Sequence, residues 1–576
     1  MCDTDHNEPV SSPQLSRRHA IGLGAAAAAA ATVVPGLTGR QAAYAAAEMS
    51  PDNYEAPTGL ALDSNAKDTA LAHVDRNSDA ITGLNDTIWE YAEPSLAEWN
   101  SALAEAQFLE RNGFRIQWAV GGLPTTFVAT YRNGTGSPVI GFSGEYDALP
   151  GVSQKKGSTE HDPLVYEDDP YSPNYGYGHG CGHSALGAAA AGAAVAVAHA
   201  LRTHRLDGTV KFFGSTAEEQ LVGKSYDVMK GVYDGCDVFV DWHPGRNTST
   251  GFGSNNALQA IAFNFSGTHG HGGSPLGNKN AQNAVRALTM LTDLIREHHV
   301  APSGRIHHAV RHSAEAPNVH AALAGAWYYV REATPERVAI LAQKVRDCAQ
   351  AAGLAMQMEV HERTVANIWN MLPNKRGAEL VHDNMVQIGA PEFTEEDQAY
   401  GKGLQAAAGI AENGFSTGVA DLRPPETTFL GGGSTDVSDI SWIIPTLSLG
   451  TPVSPSGTAN HSWLTTGSTV SHAGHVALLA ATRYLAAVAV DLFTQPALVT
   501  EIKEEHAART ANVEWASLLP ADFQPPAIAP PDWFLRRTGQ KWPNGQIAWP
   551  PERIVGHTKW ESLGPPIPPG NVQPYE

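Results

Sequence analysis

The chain has 576 residues, of which 42% are hydrophobic and 17% are charged, and its formal net charge at pH 7 is -21. This length exceeds one ordinary domain, and the composition excludes a disordered or coiled-coil chain, so we expect a globular α/β protein of two or more domains. The negative charge argues against nucleic acid as a partner, because affinity for a phosphate backbone depends on Lys and Arg side chains.

The first 47 residues have the pattern of a twin-arginine export signal. Arg17 and Arg18 precede an alanine-rich apolar stretch over 20–34, and small residues at 43–47 offer a cleavage site. The alternative is a membrane anchor, but the stretch is shorter than the ~20 apolar residues that a spanning helix needs. We therefore expect residues 1–47 to be removed, the mature chain to be periplasmic or extracellular, and no membrane association afterwards.

Three cysteines remain beyond this signal, namely Cys181, Cys236 and Cys348. So few cysteines do not make a disulfide scaffold. Cys236 and Cys348 have the pattern of small buried hydrophobic residues, and the sequence leaves open whether they pair.

Residues 48–256 have the alternating pattern of an α/β domain. Apolar residues recur at helical spacing over 69–112, and an alanine-rich helix is predicted over 184–200. Short apolar runs predict strands at 139–143, 210–213 and 238–240. This alternation predicts a sheet with helices on both faces.

Residues 257–372 are predicted to form a second unit that is inserted into the first. Strands are predicted at 261–265, 326–330 and 356–360, alternating with helices over 281–298 and 335–350. This order predicts a small sheet with two helices on one face, which is a ferredoxin-like α+β unit.

The α/β pattern resumes over 373–494, with strand-like runs at Phe429-Leu430 and Leu447–Leu449 and a helix near 473–493. Residues 495–576 differ, because they contain five Pro-Pro pairs with scattered tryptophans. For them we predict a Pro-rich C-terminal tail that wraps over the protein without a core of its own.

Side chains that can bind metal ions follow several of the predicted strands. Cys181 and His183 are separated by one glycine, and in an extended segment the side chains at i and i+2 point to the same side. Thiolate and imidazole favour zinc or another first-row ion over calcium or magnesium. Taken alone, a Cys-Gly-His is more often a structural loop. Its interpretation as a metal site therefore depends on other metal-binding side chains at the carboxyl ends of the strands. These ends are where α/β sheets bind ligands.

Glu218 and Glu219 follow the strand predicted at 210–213. Neighbouring side chains of a strand diverge, so one carboxylate can bind a metal ion while the other faces a substrate water. The alternative is a solvated acidic turn. The preceding strand has the apolar pattern of a buried strand, however, and this favours a functional role for the two carboxylates. His243 follows the next strand and His461 follows a run of turn residues, and either alone is more often an incidental histidine than a ligand.

The ordered set of motifs resembles that of the M20 metallopeptidase and amidohydrolase family, and most of all its p-aminobenzoyl-glutamate hydrolase branch. It spans roughly residues 68–493, and an ordered set of this length is hard to reach by chance. The motifs are Gly144–Pro150, His179–His183, Thr216–Glu219, Trp242–Pro244, Gly267–Pro275, Gly433–Val437 and His461.

This resemblance implies a zinc-peptidase-like catalytic domain, a mixed sheet with helices on both faces formed by 48–256 and 373–494. It also implies that the inserted ferredoxin-like domain, 257–372, is a dimerisation or lid domain, so a homodimer is expected. The implied reaction is hydrolysis of the amide bond of an N-acyl or N-aroyl amino acid such as p-aminobenzoyl-glutamate. A dipeptidase or aminoacylase activity is the alternative.

The resemblance further implies the roles of individual residues. Glu218 would be the general base for a metal-activated water, and Asp147 would orient a metal ligand from behind. His271 would reach the partner subunit's active site to stabilise the oxyanion, while Asn318 and Arg331 would contact a substrate carboxylate. Two divalent ions, zinc or manganese, would be held by Cys181, His183, Glu219, His243 and His461.

Two positions depart from the family pattern. Ser184 stands where auxin-conjugate relatives usually have Asp, and Glu145 stands where family members often have Asp. Both lie close to the implied metal site, so they leave the choice of substrate open. The segment 153–177, which precedes the Cys-Gly-His, either shapes the mouth of the pocket or is a surface excursion.

Two other classes of protein fit the sequence less well. A catalytically silent binding protein that keeps the fold would be expected to have lost Glu218 or one of the metal ligands, and all are present. A serine hydrolase would need a Gly-x-Ser-x-Gly elbow at a turn from a strand to a helix. The sequence has this pattern at 414–418, where neither a strand nor a helix is predicted.

Overall fold

The computed structural model describes residues 54–167, 174–314, 316–422, 432–525 and 528–541. The export signal predicted for residues 1–47 and the strand predicted at Phe429-Leu430 lie outside these ranges.

Three helices open the described chain, in the range where helical spacing predicts them: α1 (Asn65–Arg76), α2 (Ser78–Tyr91) and α3 (Trp99–Arg111). The hydroxyl of Ser64 caps α1 by accepting a hydrogen bond from the backbone N–H of Lys67 at 3.1 Å. The apolar residues Ala70, Val74, Ile81 and Leu84 are fully buried, so these helices are held by one packed face.

The next part of the chain is the α/β unit. Its strands are β1 (Arg115–Trp118), β2 (Phe127–Asn133), β3 (Val139–Glu145), β4 (Val165–Glu167), β5 (Asn174–Tyr175), β6 (Gly208–Ser215), β7 (Val238–Pro244) and β8 (Ser249–Thr250). Its helices are α4 (His183–His204) and α5 (Gly223–Met229). The strands predicted from the three apolar runs are β3, β6 and β7, and the alanine-rich helix is α4.

The inserted unit follows as β9 (Ala257–Ser266), α6 (Ala281–His299), β10 (Arg305–His312), β11 (Leu323–Glu332), α7 (Pro335–Met356) and β12 (Glu359–Ile368). Its sheet has the order β10-β11-β9-β12 with every neighbouring pair antiparallel. This is the ferredoxin-like arrangement expected from the sequence. The predicted strand at 356–360 begins only at Glu359, because α7 continues to Met356.

The chain then returns to the first unit. It adds α8 (Lys375–Ile388), α9 (Glu395–Ala407), α10 (Val437–Ile443), β13 (Thr446–Thr451), α11 (Trp463–Thr469), α12 (His472–Thr494), α13 (Pro496–Thr510) and α14 (Asp532–Thr538).

The larger sheet joins strands from before and after the insertion in the order β1-β2-β6-β3-β7-β13-β8. Its four central strands, β6, β3, β7 and β13, are mutually parallel. Their carboxyl ends therefore lie along one edge, which is where open α/β sheets bind ligands.

Helices cover both faces of this sheet, as predicted. On one face α4 and α12 pack against each other and against the strands, and the small side chains of α4 allow this close approach. On the other face Phe213 and Phe239 pack with Val228 of α5 and Ile440 of α10. Two described helices, α4 and α12, are long and apolar enough to cross a membrane, but both are mostly buried inside the protein. Their apolar surface is thus explained by this core.

The described part of the C-terminal segment packs against the rest of the protein. Helix α13 buries Leu498 and Ile502 against the α/β unit. Phe523 and Phe534 pack in a cluster with Leu258 of β9, so the described part of the tail covers a face of the inserted sheet. Cysteines 236 and 348, whose pairing the sequence left open, are both free.

Candidate active site

Cys181 lies in a turn directly before α4, and His183 is the first residue of that helix. The segment is therefore a turn and not the extended stretch assumed from the i, i+2 spacing. Gly182 has φ 84°, and a Cβ there would lie 2.8 Å from Cβ of Pro244, so only glycine suits this position. Cys181 Sγ lies 3.4 Å from His243 Nε2.

The His183 ring is fully buried between acidic side chains. Its Nδ1 donates a hydrogen bond to Asp147 Oδ1 at 2.8 Å, since a carboxylate can only accept. Its Nε2 lies 3.2 Å from Glu145 Oε2 and 3.7 Å from Glu218 Oε2. Asp147 thus fixes the ring from behind, in the position of a residue that orients a metal ligand.

Glu218 and Glu219 lie in a one-turn 3-10 helix, Glu218–Gln220, just beyond the end of β6. The residues on either side of this turn, Ala217 and Leu221, have left-handed φ values of 53° and 57°. Buried Glu98 holds the turn by accepting from the Thr216 hydroxyl at 2.7 Å and from the Ala217 N–H at 2.9 Å. The Glu219 N–H donates to Asp147 Oδ2 at 3.0 Å.

The two remaining predicted ligands come from the other parallel strands. His243 belongs to the end of β7, and His461 lies in the loop that follows β13. The N–H of His461 donates to the carbonyl of Gly180 at 2.8 Å, which ties this loop to the turn before Cys181. His461 Nε2 lies 3.6 Å from Glu219 Oε2. All five predicted ligands are therefore brought together.

These residues form three groups whose ligand atoms lie within 4.8 Å of one another. Two groups share Cys181 and together hold all five predicted ligands, and the third adds Glu145 and Glu218. The groups are Cys181/His183/His243, Cys181/Glu219/His461 and Glu145/His183/Glu218.

The donor atoms of this cluster fit divalent metal ions. Glu145 Oε2, His183 Nε2 and Glu219 Oε1 are buried and make no hydrogen bond to any residue that the structure describes. Two atoms bound to one tetrahedral zinc ion at its usual bond lengths lie about 3.4 Å apart, close to the 3.2–3.9 Å separations seen here. Sulfur, imidazole and carboxylate together favour a first-row transition metal or zinc.

The electrostatics of the site also call for cations. Burial, and then the charge of Glu145, raise the pKa of Glu218 well above its ordinary value. Burial raises the pKa of Glu219 to about 8 although His183 opposes the shift. Burial alone would raise the pKa of Asp147 too, but the charge and hydrogen bond of His183 lower it to about 2. Positive charge bound in the cluster would relieve this concentration of carboxylates.

Lys224 and Asp436 are site residues that the sequence analysis did not identify. The fully buried ammonium of Lys224 contacts Glu145 Oε1 and Asp436 Oδ1, each at 2.7 Å. Asp436 lies in one of the quoted motifs, but the sequence gives no signal for its pairing with a lysine 212 positions away. Glu145, first noted only as a departure from the family, thus lies inside the cluster.

A cavity of about 300 Å³ opens beside the cluster, between the larger sheet and the inserted sheet. It borders Glu219 and is otherwise mainly apolar, with a lining that includes Leu149, Pro150, Tyr177, Trp327 and Tyr329. Tyr177 ends the 153–177 segment, so the end of that segment contributes to the pocket.

Of the three site residues predicted in the inserted domain, Arg331 lies close to the cluster, whereas His271 and Asn318 do not. Its charge interacts with Glu218 and Glu219, while burial lowers its own pKa. His271 and Asn318 are exposed and adjacent, with the Gly272 N–H donating to the Asn318 carbonyl at 2.7 Å. Among the described residues, neither contacts the ligand cluster.

Comparison with known proteins decides the family. Residues 141–505 match the family described as Peptidase family M20/M25/M40. One of the subunits of the p-aminobenzoyl-glutamate hydrolase of Escherichia coli is 30% identical over 479 residues, covering 78% of this chain and 97% of the relative. The chain belongs to the M20 family. It is accordingly an enzyme, a metal-dependent hydrolase that acts on linear amide C–N bonds.

Other similar proteins have lower sequence identity to this chain. The Xaa-Arg dipeptidase of Mus musculus is 25% identical, over 76% of this chain and 91% of its own length. The crystal structure of the aminobenzoyl-glutamate utilization protein from Klebsiella pneumoniae matches 73% of this M20 chain and 97% of its own, with 15% identity and a TM-score of 0.47. The roles of individual residues in this chain stay predictions.

Proposed function

We propose that this M20 enzyme is an exported two-metal amidohydrolase that cleaves N-acyl or N-aroyl amino acids. The observation that carries the proposal is the convergence of five metal-capable side chains at the edge where the parallel strands end. Buried ligand atoms in this cluster make no hydrogen bond to the described residues. Cys181, His183, Glu219, His243 and His461 would hold two divalent ions, zinc or manganese.

Such ions would lower the pKa of a water molecule and polarise the amide carbonyl. Glu218 is the candidate general base, because it is buried beside the cluster. The role of orienting His183 already belongs to Asp147, which accepts the hydrogen bond of its Nδ1, so Glu218 is left for proton transfer. Its carboxylate would take the proton of the attacking water and pass it to the leaving amine.

The substrate class is supported by the surroundings of the cluster. Arg331 Nε is buried and makes no hydrogen bond within the described residues, so the guanidinium is available for the carboxylate of an amino-acid product. The apolar cavity bordered by Trp327 and Tyr329 suits an aryl or alkyl acyl group. A dipeptidase activity is the second candidate, favoured by the 25% identity with Xaa-Arg dipeptidases.

We further propose a homodimer in which the inserted domain provides the contact. Apolar side chains are exposed on α6, where Met290 and Leu294 are 65% and 68% exposed, and on the edge strand β10, where Val310 is 54% exposed. An exposed apolar patch of this kind is typical of an interface. His271 and Asn318 are exposed on the same domain and would be available to the partner subunit's site.

A substrate panel tests the hydrolytic proposal. The metal-loaded mature protein would be assayed with p-aminobenzoyl-glutamate, N-acetyl amino acids and dipeptides, beside a Glu218→Gln variant of the same shape. We expect amine release from at least one N-acyl or N-aroyl amino acid, and a rate at least about 10²-fold lower in the variant. Equal rates in both proteins for every compound would refute the proposal.

Export is tested separately by sequencing the amino terminus of the protein recovered outside the cytoplasm. A mature chain that begins near residue 48 is expected. Retention of the Arg17→Lys/Arg18→Lys variant in the cytoplasm would support the twin-arginine route, and its normal export would contradict that route.

A further inference from the structure

Glu145 differs from the other carboxylates of the cluster in how its two oxygens are used. Oε1 receives the Lys224 ammonium at 2.7 Å. Oε2 is buried, makes no hydrogen bond to the described residues, and faces His183 Nε2 at 3.2 Å. The residue is 1% exposed.

The two atoms that face each other are placed to share one cation. Because His183 donates Nδ1–H to Asp147, Nε2 is the ring nitrogen left to bind a metal ion. Together with Glu218, Glu145 and His183 form one of the groups of side chains that could hold such an ion. The separation is close to the roughly 3.4 Å expected of two ligand atoms on one tetrahedral ion.

Lys224 and Asp436 explain why Glu145 holds this orientation. Lys224 belongs to the first turn of α5, and its backbone N–H and its ammonium bind the two oxygens of Asp436 at 2.8 Å and 2.7 Å. Lys224 and Asp436 are both 0% exposed. The lysine is therefore fixed at both ends, and the carboxylate it holds can direct only its second oxygen towards His183.

We propose that Glu145 is a further ligand of the metal ion held by His183, and that Lys224, fixed by Asp436, is the positioning residue that aims it. The inference rests on the proposed metal site but not on the identity of the substrate. It assigns a metal-binding role to one of the two positions where this chain departs from the family pattern.

Cobalt titration of the full mature chain, freed of metal by chelation, tests the inference without substrate. We expect Glu145→Gln to weaken binding of one of two Co²⁺ ions by about 10–100-fold and to change the visible spectrum of that ion, since supporting residues of metal sites have effects of this size. Lys224→Met should weaken the binding of the same ion, and Lys224→Arg should bind that ion more tightly than Lys224→Met does.

Lys67→Met is the matched control, because Lys67 is also a buried lysine, paired with Asp491 at 2.9 Å, and its hydrogen-bond partners Asn384, Gln387 and Asp491 are not residues of the ligand cluster. Its Co²⁺ affinities should stay within about threefold of the wild type, in keeping with independent sites. Glu145→Gln has the shape of the wild-type residue, so it decides the question even if Lys224→Met does not fold. Unchanged affinity for both ions in Glu145→Gln would overturn the inference.

The outcomes also separate this inference from the proposed function. A wild type that binds two ions and loses one through Glu145→Gln, yet hydrolyses none of the panel, would refute the substrate proposal alone. A wild type that hydrolyses the panel while Glu145→Gln binds both ions normally would refute the ligand role of Glu145 alone.

Discussion

Five carboxyl groups lie in or directly beside the ligand cluster, namely Glu145, Asp147, Glu218, Glu219 and Asp436. Lys224 contacts Glu145 and Asp436, His183 contacts the other carboxyl groups and Glu145, and Arg331 interacts with Glu218 and Glu219 through its charge. Buried negative charge of this density is unfavourable unless it is paired. At the scale of single residues, the chemistry of the site is therefore organised around cations that the side chains alone do not supply.

Asp227 of α5 allows a test of buried charge outside the cluster. Its side chain is buried, its Oδ1 has no hydrogen-bond partner among the described residues, and burial together with Asp436 raises its pKa to about 8. The folded state therefore binds a proton more tightly than the unfolded state, and the stability associated with this group falls as the pH rises from about 4 to about 8.

For the Asp227→Asn variant we expect a stability close to that of the wild type near pH 4 and higher than the wild type at pH 8. The difference in free energy of unfolding should grow by several kcal/mol across this range, since one pKa unit corresponds to about 1.4 kcal/mol. Urea unfolding at several pH values measures it. A difference that is constant with pH would show that Asp227 is ionised in the folded protein.

Among the elements, the turn that carries Glu218 and Glu219 depends on one buried acceptor. Glu98 accepts from Thr216 of the turn and also from Thr125, which lies outside it, at 2.9 Å. Replacing either threonine with valine removes a hydroxyl donor at nearly constant volume. The two changes thus form a matched pair.

We expect Thr216→Val and Thr125→Val each to lower the free energy of unfolding by about 0.5–1.5 kcal/mol, the net contribution of a hydrogen bond, because Glu98 keeps its other donors in either variant. Only Thr216→Val should also lower kcat substantially, because it loosens the turn that places Glu218. Urea unfolding and steady-state kinetics measure both effects. Equal kcat in the two variants would argue against a positioning role for Thr216.

The elements that could be predicted from the sequence are those whose burial shows in the pattern of consecutive residues. Strands β3, β6 and β7 are continuous apolar runs followed by polar residues, so both the strands and the site at their ends could be predicted. Strand β10 was missed because it is an edge strand with mostly exposed side chains, including His307 and His308. The Lys224–Asp436 pair has no local signal, since its partners meet only after folding.

At the scale of the whole molecule, the inserted domain brings Arg331 to the site but leaves His271 exposed. A cross-subunit role for His271 can be tested by mixing two inactive variants, Glu218→Gln and His271→Ala, under conditions that allow subunit exchange. One site of each mixed dimer would then combine an intact Glu218 with an intact His271 of the partner subunit.

Equal mixing should restore activity to about one quarter of the wild-type value, because half of the dimers are mixed and each has one complete site. Light scattering would establish that the protein is a dimer. No recovery of activity in a mixture shown to contain mixed dimers would exclude a role across the interface, as would a fully active monomer.

The central claim is that five distant side chains hold two ions on which hydrolysis depends. Elemental analysis of the purified active protein, combined with chelation and metal addition during the hydrolysis assay, tests this claim most directly. We predict two transition-metal or zinc ions per chain, loss of both ions and of activity on chelation, and recovery of activity when the ions are restored. Active protein that holds no such ion, or activity that survives complete removal of the ions, would contradict it.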